Sequence, residues 1–347
     1  MEGATTAFRS LTRLQPAGGN LDKVFPPTYK DATYAVEQRH IPGREGTVPC
    51  VLLDSVQSQA NRFEPALLEL RDAGQITLPT IRLDFSQSKL PRNIELTSLE
   101  VPHRISDALL RDSLLGDQRF RDSAVGKVLD DSDLKNATGL FQYCPTALLF
   151  GIWDSTGPRG GLGVKFQRAL VSEIVGFNFV QGVRTASRID PTQIVLKAGP
   201  LYDDGKGSYV LDPNLAAKDK SKPILYKKTG KPSEANLGNV TPSCSSGGVS
   251  IEFAQQTAVI SLPALRRLRF PINGKTDAKV NTAARCVLAA LGLLSVTVTQ
   301  EQGYDLRSRC LLVAEEALNW EIIGAPGTSP DQFGWTSKDA ISLFNEA

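Results

Sequence analysis

A glycine-rich basic loop near the middle of the chain constrains the fold most. It runs from Gly157 to Lys165, between an apolar run that ends at Ile152 and a second apolar segment after Arg168. Glycine adopts backbone angles that other residues avoid, so such a loop bends sharply and exposes its N–H groups. It predicts a connection between two strands. Its amides and cations also suit a phosphate group, and glycines that serve turn geometry alone remain an open alternative.

Composition narrows the class of protein. Of the 347 residues, 41% are hydrophobic, which is enough for a sizeable core. The five cysteines are odd in number and never form Cys-x-x-Cys, which indicates reduced thiols. We expect no stretch of the roughly 18 apolar residues that a membrane span needs and no signal peptide, hence a cytoplasmic protein without a membrane partner. Since the net charge is only +2, a site for a polyanion requires local clustering of cations.

Two such clusters are present. Eight lysines lie between Lys197 and Lys231, and three arginines lie between Arg266 and Arg269. A solvated protein face explains each cluster as well as a binding surface does.

A strand followed by a helix is predicted early in the chain. The apolar run 49–54 predicts the strand, and Phe63 and Leu67 recur at helical spacing after it. Ser55 or Ser58 can cap the start of this helix.

The same patterns predict the remaining elements. Extended segments are expected over 76–85, 146–152, 168–180, 249–260, 294–298, 310–314 and 320–323. Short helices with polar starts are expected within 105–140, and an amphipathic helix over 276–291. The span 197–248 is rich in Gly, Pro, Ser and Lys and predicts an irregular excursion. Together these favour an α+β sheet domain with insertions over a doubly wound nucleotide-binding fold.

Signatures of common enzymes are missing. The loop does not read Gly-x-x-x-x-Gly-Lys-Ser/Thr, and Gly161-Leu-Gly163 lacks a third glycine in register. The chain has only two histidines, so a histidine-based catalytic triad would need one of them nearby. The grouping that comes closest to a metal site is Asp130, Asp131 and Asp133, and it is explained most simply as the polar start of a helix. We therefore expect no catalytic residue, no cofactor and no metal.

Uncharged hydrogen-bonding groups crowd one short segment. Gln57, Ser58, Asn61 and Arg62 suit contacts to sugar hydroxyls and phosphate oxygens. The alternative is a polar helix face with Arg62 paired to a nearby acid. A similar group of polar and basic residues is formed by Arg184, Ser187 and Arg188. The alternative here is a structural role in which Asp190 holds Arg188 in place.

Four blocks of sequence together resemble one family. They are residues 13–19, 54–64, 153–168 and 187–192. The chain resembles the backbone subunit (Cas-seven type, RAMP superfamily) of the type I-G, formerly I-U, CRISPR effector complex, from near its N-terminus to about residue 195. The resemblance implies one RRM-like (ferredoxin-like) palm domain over 1–347, with a helical finger insertion over 84–145 and a flexible thumb or loop insertion over 197–248.

The resemblance also implies a function without enzymatic activity. Such subunits polymerise along a CRISPR RNA beside copies of themselves and other effector subunits, and they present the guide to the target DNA strand. The implied RNA-contacting positions are Gln57, Ser58, Asn61, Arg62, Gly157, Arg159, Gly160, Gly161, Gly163, Lys165, Arg168, Arg184, Ser187 and Arg188. Because only 7% of residues are aromatic, we expect these positions to grip the RNA backbone rather than stack on bases.

Two alternatives remain at this stage. One is a metal-dependent, RNA-cleaving subunit of type III character that uses a loop aspartate such as Asp154, Asp203 or Asp204. The other is a phosphate-binding enzyme that uses the glycine loop.

Overall fold

Antiparallel strands and α-helices alternate irregularly along the chain in the computed structural model, which describes residues 5–157, 163–191 and 199–347. The strands are β1 (Ala7–Pro16), β2 (Val36–Arg39), β3 (Val48–Asp54), β4 (Arg82–Asp84), β5 (Glu95–Thr97), β6 (Leu114–Leu115), β7 (Gln118–Arg119), β8 (Ile152–Trp153), β9 (Lys165–Phe166), β10 (Leu170–Phe177), β11 (Val180–Arg188), β12 (Tyr202–Asp203), β13 (Tyr209–Val210), β14 (Lys218–Asp219), β15 (Lys222–Pro223), β16 (Val240–Ser250), β17 (Phe253–Ser261), β18 (Tyr304–Arg307), β19 (Cys310–Ala314), β20 (Asn319–Ile323) and β21 (Asp331–Gly334). The helices are α1 (Val56–Asp72), α2 (Ala108–Arg111), α3 (Ala124–Asp131), α4 (Thr138–Tyr143), α5 (Pro145–Phe150), α6 (Leu262–Arg266), α7 (Ala278–Gln302) and α8 (Ser337–Glu346). Single 3-10 turns cover Lys30–Ala32, Arg104–Ser106, Phe120–Asp122 and Pro232–Ala235.

The chain divides into two units. The first contains the residues up to Val180 together with Ser250–Ala347, and the second contains Gln181–Val249. The first unit holds the large sheet and all eight helices named above.

The first unit is organised by a curled antiparallel sheet of nine strands. Seven strands follow the order β18-β19-β1-β17-β10-β3-β2, while β20 pairs with β1 and β21 pairs with β20. The centre is the long ladder between β1 and β17, from Ala7 opposite Ser261 to Leu14 opposite Ala254. The predicted class, a mixture of helices with β-sheet, is confirmed.

One face of this sheet is buried beneath helices. In β17, Ala254, Gln256, Ala258 and Ile260 are buried, while the residues between them are half-buried. Such alternation places every second side chain on the same face. Helices α1 and α7 supply the apolar residues that join this face in one core cluster, which includes Phe63, Leu67, Leu288 and Leu291.

Helix α1 forms as its sequence predicts. Ser55 is its N-cap, and the side chain of Ser55 accepts a hydrogen bond from the backbone N–H of Ser58. Phe63 and Leu67 are buried on the same face. The preceding strand β3 confirms the prediction over 49–54.

Two predicted strands are wrong. The run 146–152 forms helix α5 and the two-residue strand β8, and the segment 294–298 lies inside α7. The first segment is almost entirely apolar and buried, so it carries no alternation that distinguishes a strand from a helix. The second alternates apolar residues with Ser295 and Thr297, as a strand does, but these two hydroxyls are buried and donate to the helix carbonyls of Gly292 and Leu293. The prediction of extended structure over 76–85 holds only at β4.

The acidic group at 130–133 is also placed differently from its prediction. Asp130 and Asp131 end α3 instead of starting a helix. Asp133 accepts hydrogen bonds from the backbone N–H groups of Lys135 and Asn136, in a turn that follows. These carboxylates therefore support a turn and an ion pair, not a helix start.

Helix α7 corrects the expectation about long apolar segments. It is 25 residues long and apolar enough to cross a membrane by length and composition. However, 72% of its most apolar 18-residue window is buried within the protein. This burial is typical of the core helix of a soluble protein.

The second unit contains small two-stranded sheets. Strand β11 pairs with β16, and the short hairpins β12–β13 and β14–β15 lie between them in the chain. The hydroxyphenyl rings of Tyr209 and Tyr226 contact each other at 5.5 Å between centroids. The excursion predicted over 197–248 falls within this unit.

Candidate nucleic-acid interface

The glycine loop starts and ends on a short ribbon formed by β8 and β9. Ile152 pairs with Phe166, and Trp153 pairs with Lys165. Because paired residues point to the same face of a ribbon, Ile152 and Phe166 enter the core while Trp153 and Lys165 lie on the outer side. Three predicted contact residues, Arg159, Gly160 and Gly161, lie outside the described residues.

A groove of about 960 Å³ lies beside this ribbon. It brings together four of the predicted contact residues, Gln57, Asn61, Lys165 and Arg168. Gln57 and Asn61 are exposed and lie one turn apart on α1, so both amides face the same side. The groove thus joins residues that are more than a hundred positions apart in the sequence.

Arg168 is the most unusual cation of the groove. Its Nε atom is buried and has no hydrogen-bond partner among the residues that the structure describes. Burial and the neighbouring charge of Arg104 lower the pKa of Arg168 from its usual value, although an arginine remains protonated at neutral pH. Neither Arg168 nor Lys165 forms an ion pair with a described acid. These two positive charges are therefore available to an anionic ligand.

Arg104 is a buried residue of the groove wall. Its guanidinium binds both carboxylate oxygens of Glu64, at 2.6 and 2.8 Å, and donates to the carbonyl of Gly151 at 3.1 Å. Burial raises the pKa of Glu64 to about 7, against the opposing effect of the Arg104 charge. Arg104 is itself only 5% exposed. Its hydrogen bond to Gly151, the residue before β8, holds the start of the ribbon in place.

Asp154 anchors the first part of the glycine loop. It is 2% exposed, pairs with Arg121, and accepts a hydrogen bond from the backbone N–H of Thr156. A Cβ on Gly157 would lie 2.6 Å from Oδ2 of Asp154 and 2.7 Å from Nη2 of Arg121. Glycine at position 157 therefore permits this ion pair to pack directly against the loop.

Arg62 occupies a different environment from the other predicted residues of α1. Its Nε donates to Oδ2 of Asp54 at 2.9 Å, and its Nη2 donates to the carbonyl of Leu306 at 2.6 Å. Gln59 donates to the same carboxylate oxygen at 2.7 Å. Of the two alternatives for Arg62, the structure contains the pair with a nearby acid. Ser58, also predicted as a contact, is half-buried at the first turn of α1.

Three predicted residues, Arg184, Ser187 and Arg188, lie on β11 in the second unit. Nε of Arg184 donates to Oγ of Ser245 at 3.1 Å, and Arg188 donates to the carbonyl of Asn236. Ser187 is exposed. Asp190 accepts from the backbone N–H of Gly238 at 2.9 Å. The RNA contacts of these residues stay predictions within that unit.

Sequence reasoning missed several residues of the groove wall, including Arg104, His103, Arg111 and Trp153. Arg111 donates to Oγ1 of Thr156 at 3.1 Å, which ties the segment after β5 to the loop. No local signal indicated His103 or Arg111, because tertiary packing brings them to the groove. Trp153 had a signal, since it follows the apolar run that ends at Ile152 and lies four residues before the loop.

Within the described parts of the chain, no three His, Cys, Asp or Glu side chains converge as metal ligands would.

The fold and the groove define a mixed α/β protein with a curled antiparallel sheet and a basic groove that suits a polyanion. The model of the family CRISPR-associated protein GSU0053 matches residues 9–181, a segment that contains the whole groove. This match supports the interpretation that the chain is a CRISPR-associated protein with a role in CRISPR defence. A search of curated proteins gave no match.

Proposed function

We propose that this chain is the CRISPR RNA-binding backbone subunit of a type I, Cascade-like effector complex of subtype I-G. The subunit polymerises along the guide RNA, contacts neighbouring copies and other effector subunits, and presents the guide for pairing with a target DNA strand. The observation that carries the proposal is the groove. It places Lys165 and Arg168, which lack acidic partners in the described chain, beside the amides of Gln57 and Asn61.

Strand order supports an RRM-like palm. Four strands follow the order β19-β1-β17-β10, with α1 between β1 and β10 in the chain and α7 between β17 and β19. Numbered along the chain, these strands read 4-1-3-2 in a β-α-β-β-α-β succession, which is the ferredoxin-like arrangement that RRM domains share. The hairpin of β2 and β3 then extends the outer edge of the palm.

The insertions fit the same proposal. The span 84–145, the proposed finger, contains the short helices α2, α3 and α4 and the hairpin of β6 and β7. The span 197–248, the proposed thumb, lies within the second unit.

The chemistry of the groove suits a ligand of variable sequence. A guide-binding subunit must accept any spacer, so its contacts have to address sugar and phosphate groups. Cations and side-chain amides do this without reading base identity, and the contribution of the cations to affinity falls as the salt concentration rises. The groove offers both kinds of group on one surface.

The ion pair of Asp154 favours a non-enzymatic subunit. An aspartate that binds a catalytic metal ion needs a carboxylate that is free to coordinate that ion. The carboxylate of Asp154 is buried and neutralised by Arg121, which also donates to Asp130 at 2.7 Å. We therefore propose that the subunit binds RNA without cutting it.

Purification of the full-length protein from cells that express a CRISPR array tests this function. The account predicts that the protein carries RNA of uniform length, visible as excess nucleic-acid absorbance and as one band on a denaturing gel. Protein that purifies free of RNA, and that does not bind added guide RNA, would contradict the proposal.

A further inference from the structure

We propose that Trp153 is a stacking platform for one nucleobase of the bound RNA, with Lys165 holding the adjoining phosphate. This inference rests on the proposed function and adds to it a base contact at a defined position. It also revises the expectation, drawn from low aromatic content, that the protein grips the RNA backbone alone.

The exposure of Trp153 is the first argument. Its side chain is 57% exposed on the wall of the groove. The other two tryptophans of the chain are packed against protein, since Trp320 is 0% exposed and Trp335 contacts the ring of Phe333 at 4.7 Å. An exposed indole leaves apolar surface in contact with water, and stacking of a flat apolar ligand on the ring would remove that surface from water.

The second argument is the position of Lys165. Its Nζ lies 5.5 Å from the centroid of the Trp153 ring, and the two residues are direct cross-strand neighbours. The ammonium of Lys165 lies over one face of the ring, so a base stacks on the other face while the ammonium meets the adjoining phosphate of the same strand. Stacking tolerates every base, so this contact fits a subunit that accepts any guide.

The third argument is the rigidity of the platform. Ile152 and Phe166, on the opposite face of the ribbon, are 7% and 4% exposed and belong to the main core cluster. Gly151 has a φ of 82°, and a Cβ there would lie 2.9 Å from Cγ of Arg168. The backbone before Trp153 is therefore held closely against Arg168. A ring on a fixed backbone loses little conformational entropy when a base stacks on it.

Binding of two oligomers by the full-length protein tests this inference. One is a single-stranded RNA, and the other has the same length but abasic nucleotides. We expect Trp153→Ala to weaken binding of the base-bearing RNA by about fivefold or more and to leave binding of the abasic oligomer unchanged. Trp153→Phe should retain most of the affinity. Equal losses on both oligomers, or no loss on either, would overturn the inference.

Two further readouts separate stacking from a structural role. Trp153→Ala should leave the dependence of log affinity on log salt unchanged, whereas Lys165→Ala should reduce that slope by up to about 0.7. The change in tryptophan fluorescence on RNA binding should disappear in Trp153→Phe. A fluorescence change that persists in this variant would contradict the platform.

The result also distinguishes the two proposals. If Lys165→Ala and Arg168→Ala weaken RNA binding but Trp153→Ala does not, the platform is refuted and the proposed function stands. If the wild-type protein binds no RNA, both are refuted.

Discussion

Arg62 and Asp54 form an ion pair that joins helix α1 to the end of strand β3, with 2.9 Å between Nε and Oδ2. The carboxylate of Asp54 is fully buried, and the same guanidinium also donates to the backbone carbonyls of Asp305 and Leu306 at the start of β18. Arg62 thus connects three elements of the first unit. A residue predicted from its sequence context to contact RNA therefore has a structural role in the fold, and its RNA contact stays a prediction.

Replacing Arg62 should destabilise the protein. Arg62→Ala leaves the buried Asp54 carboxylate with Gln59 and a longer contact to Arg307 at 3.5 Å. We expect the free energy of unfolding to fall by about 2 kcal/mol, because an unsatisfied buried charge is costly. Urea denaturation measures this loss. Asn61→Ala, on the exposed side of the same helix, is the matched control and should leave stability within about 0.5 kcal/mol of wild type.

Gly126 is required by close packing. A Cβ at this position in α3 would collide with the carbonyl of Phe120 and lie 2.8 Å from Cα of Arg121. Since both obstacles are backbone atoms, Gly126→Ala should lower the free energy of unfolding by about 2 kcal/mol. Gly199→Ala is the control, because a Cβ at that residue meets nothing within 4 Å. Equal thermal midpoints for the two variants would refute this packing argument.

The buried carboxyl of Glu64 should make stability depend on pH. Burial raises the pKa of Glu64 to about 7, from about 4.5 in the unfolded chain. A raised folded-state pKa stabilises the protein fully below pH 4.5, and that contribution is lost as the pH rises through 7. Relative to Glu64→Gln, which does not titrate, wild type should lose on the order of 3 kcal/mol between pH 4.5 and pH 8. Chemical denaturation of both proteins across this range measures the difference. A difference that does not vary with pH would contradict the raised pKa.

The proposal that the subunit does not cut RNA can also be tested. Guide-loaded complex incubated with complementary RNA and Mg²⁺ should leave the RNA intact on a denaturing gel. Cleavage at regular intervals, lost in Asp154→Asn, would instead support the type III alternative. Because Asp154 pairs with Arg121, we expect Asp154→Asn to alter thermal stability rather than any cleavage.

Local sequence signals predicted part of this fold. Helix α1 followed from the Ser55 cap and the spacing of Phe63 and Leu67, all of which act within a few residues. Helix α5 did not follow, because a fully buried apolar run has no polar face to reveal its period. The second half of α7 did not follow either, because Ser295, Thr297 and Thr299 alternate with apolar residues as in a strand, while their hydroxyls donate to carbonyls of the helix itself. The choice between strand and helix was made there by packing against the sheet.

The candidate site was predictable to a similar extent. Gln57, Asn61 and Lys165 stand out in the sequence as clustered polar or basic residues. Arg104 and Arg111 come from the inserted segment after β5, and only tertiary packing places them against the ribbon. The opposite roles of Arg62 and Arg168, one paired with an acid and the other without one in the described chain, depend on distances that sequence patterns do not encode.

Salt-dependent RNA binding by variants of the groove tests the central claim most directly. Lys165→Ala and Arg168→Ala should each weaken binding of unrelated RNA sequences equally and reduce the slope of log affinity against log salt by up to about 0.7. Lys279→Ala removes an exposed lysine from the start of α7, outside the groove, and should change neither quantity. If both groove variants match wild type in affinity and slope, RNA does not bind in this groove and the account is wrong.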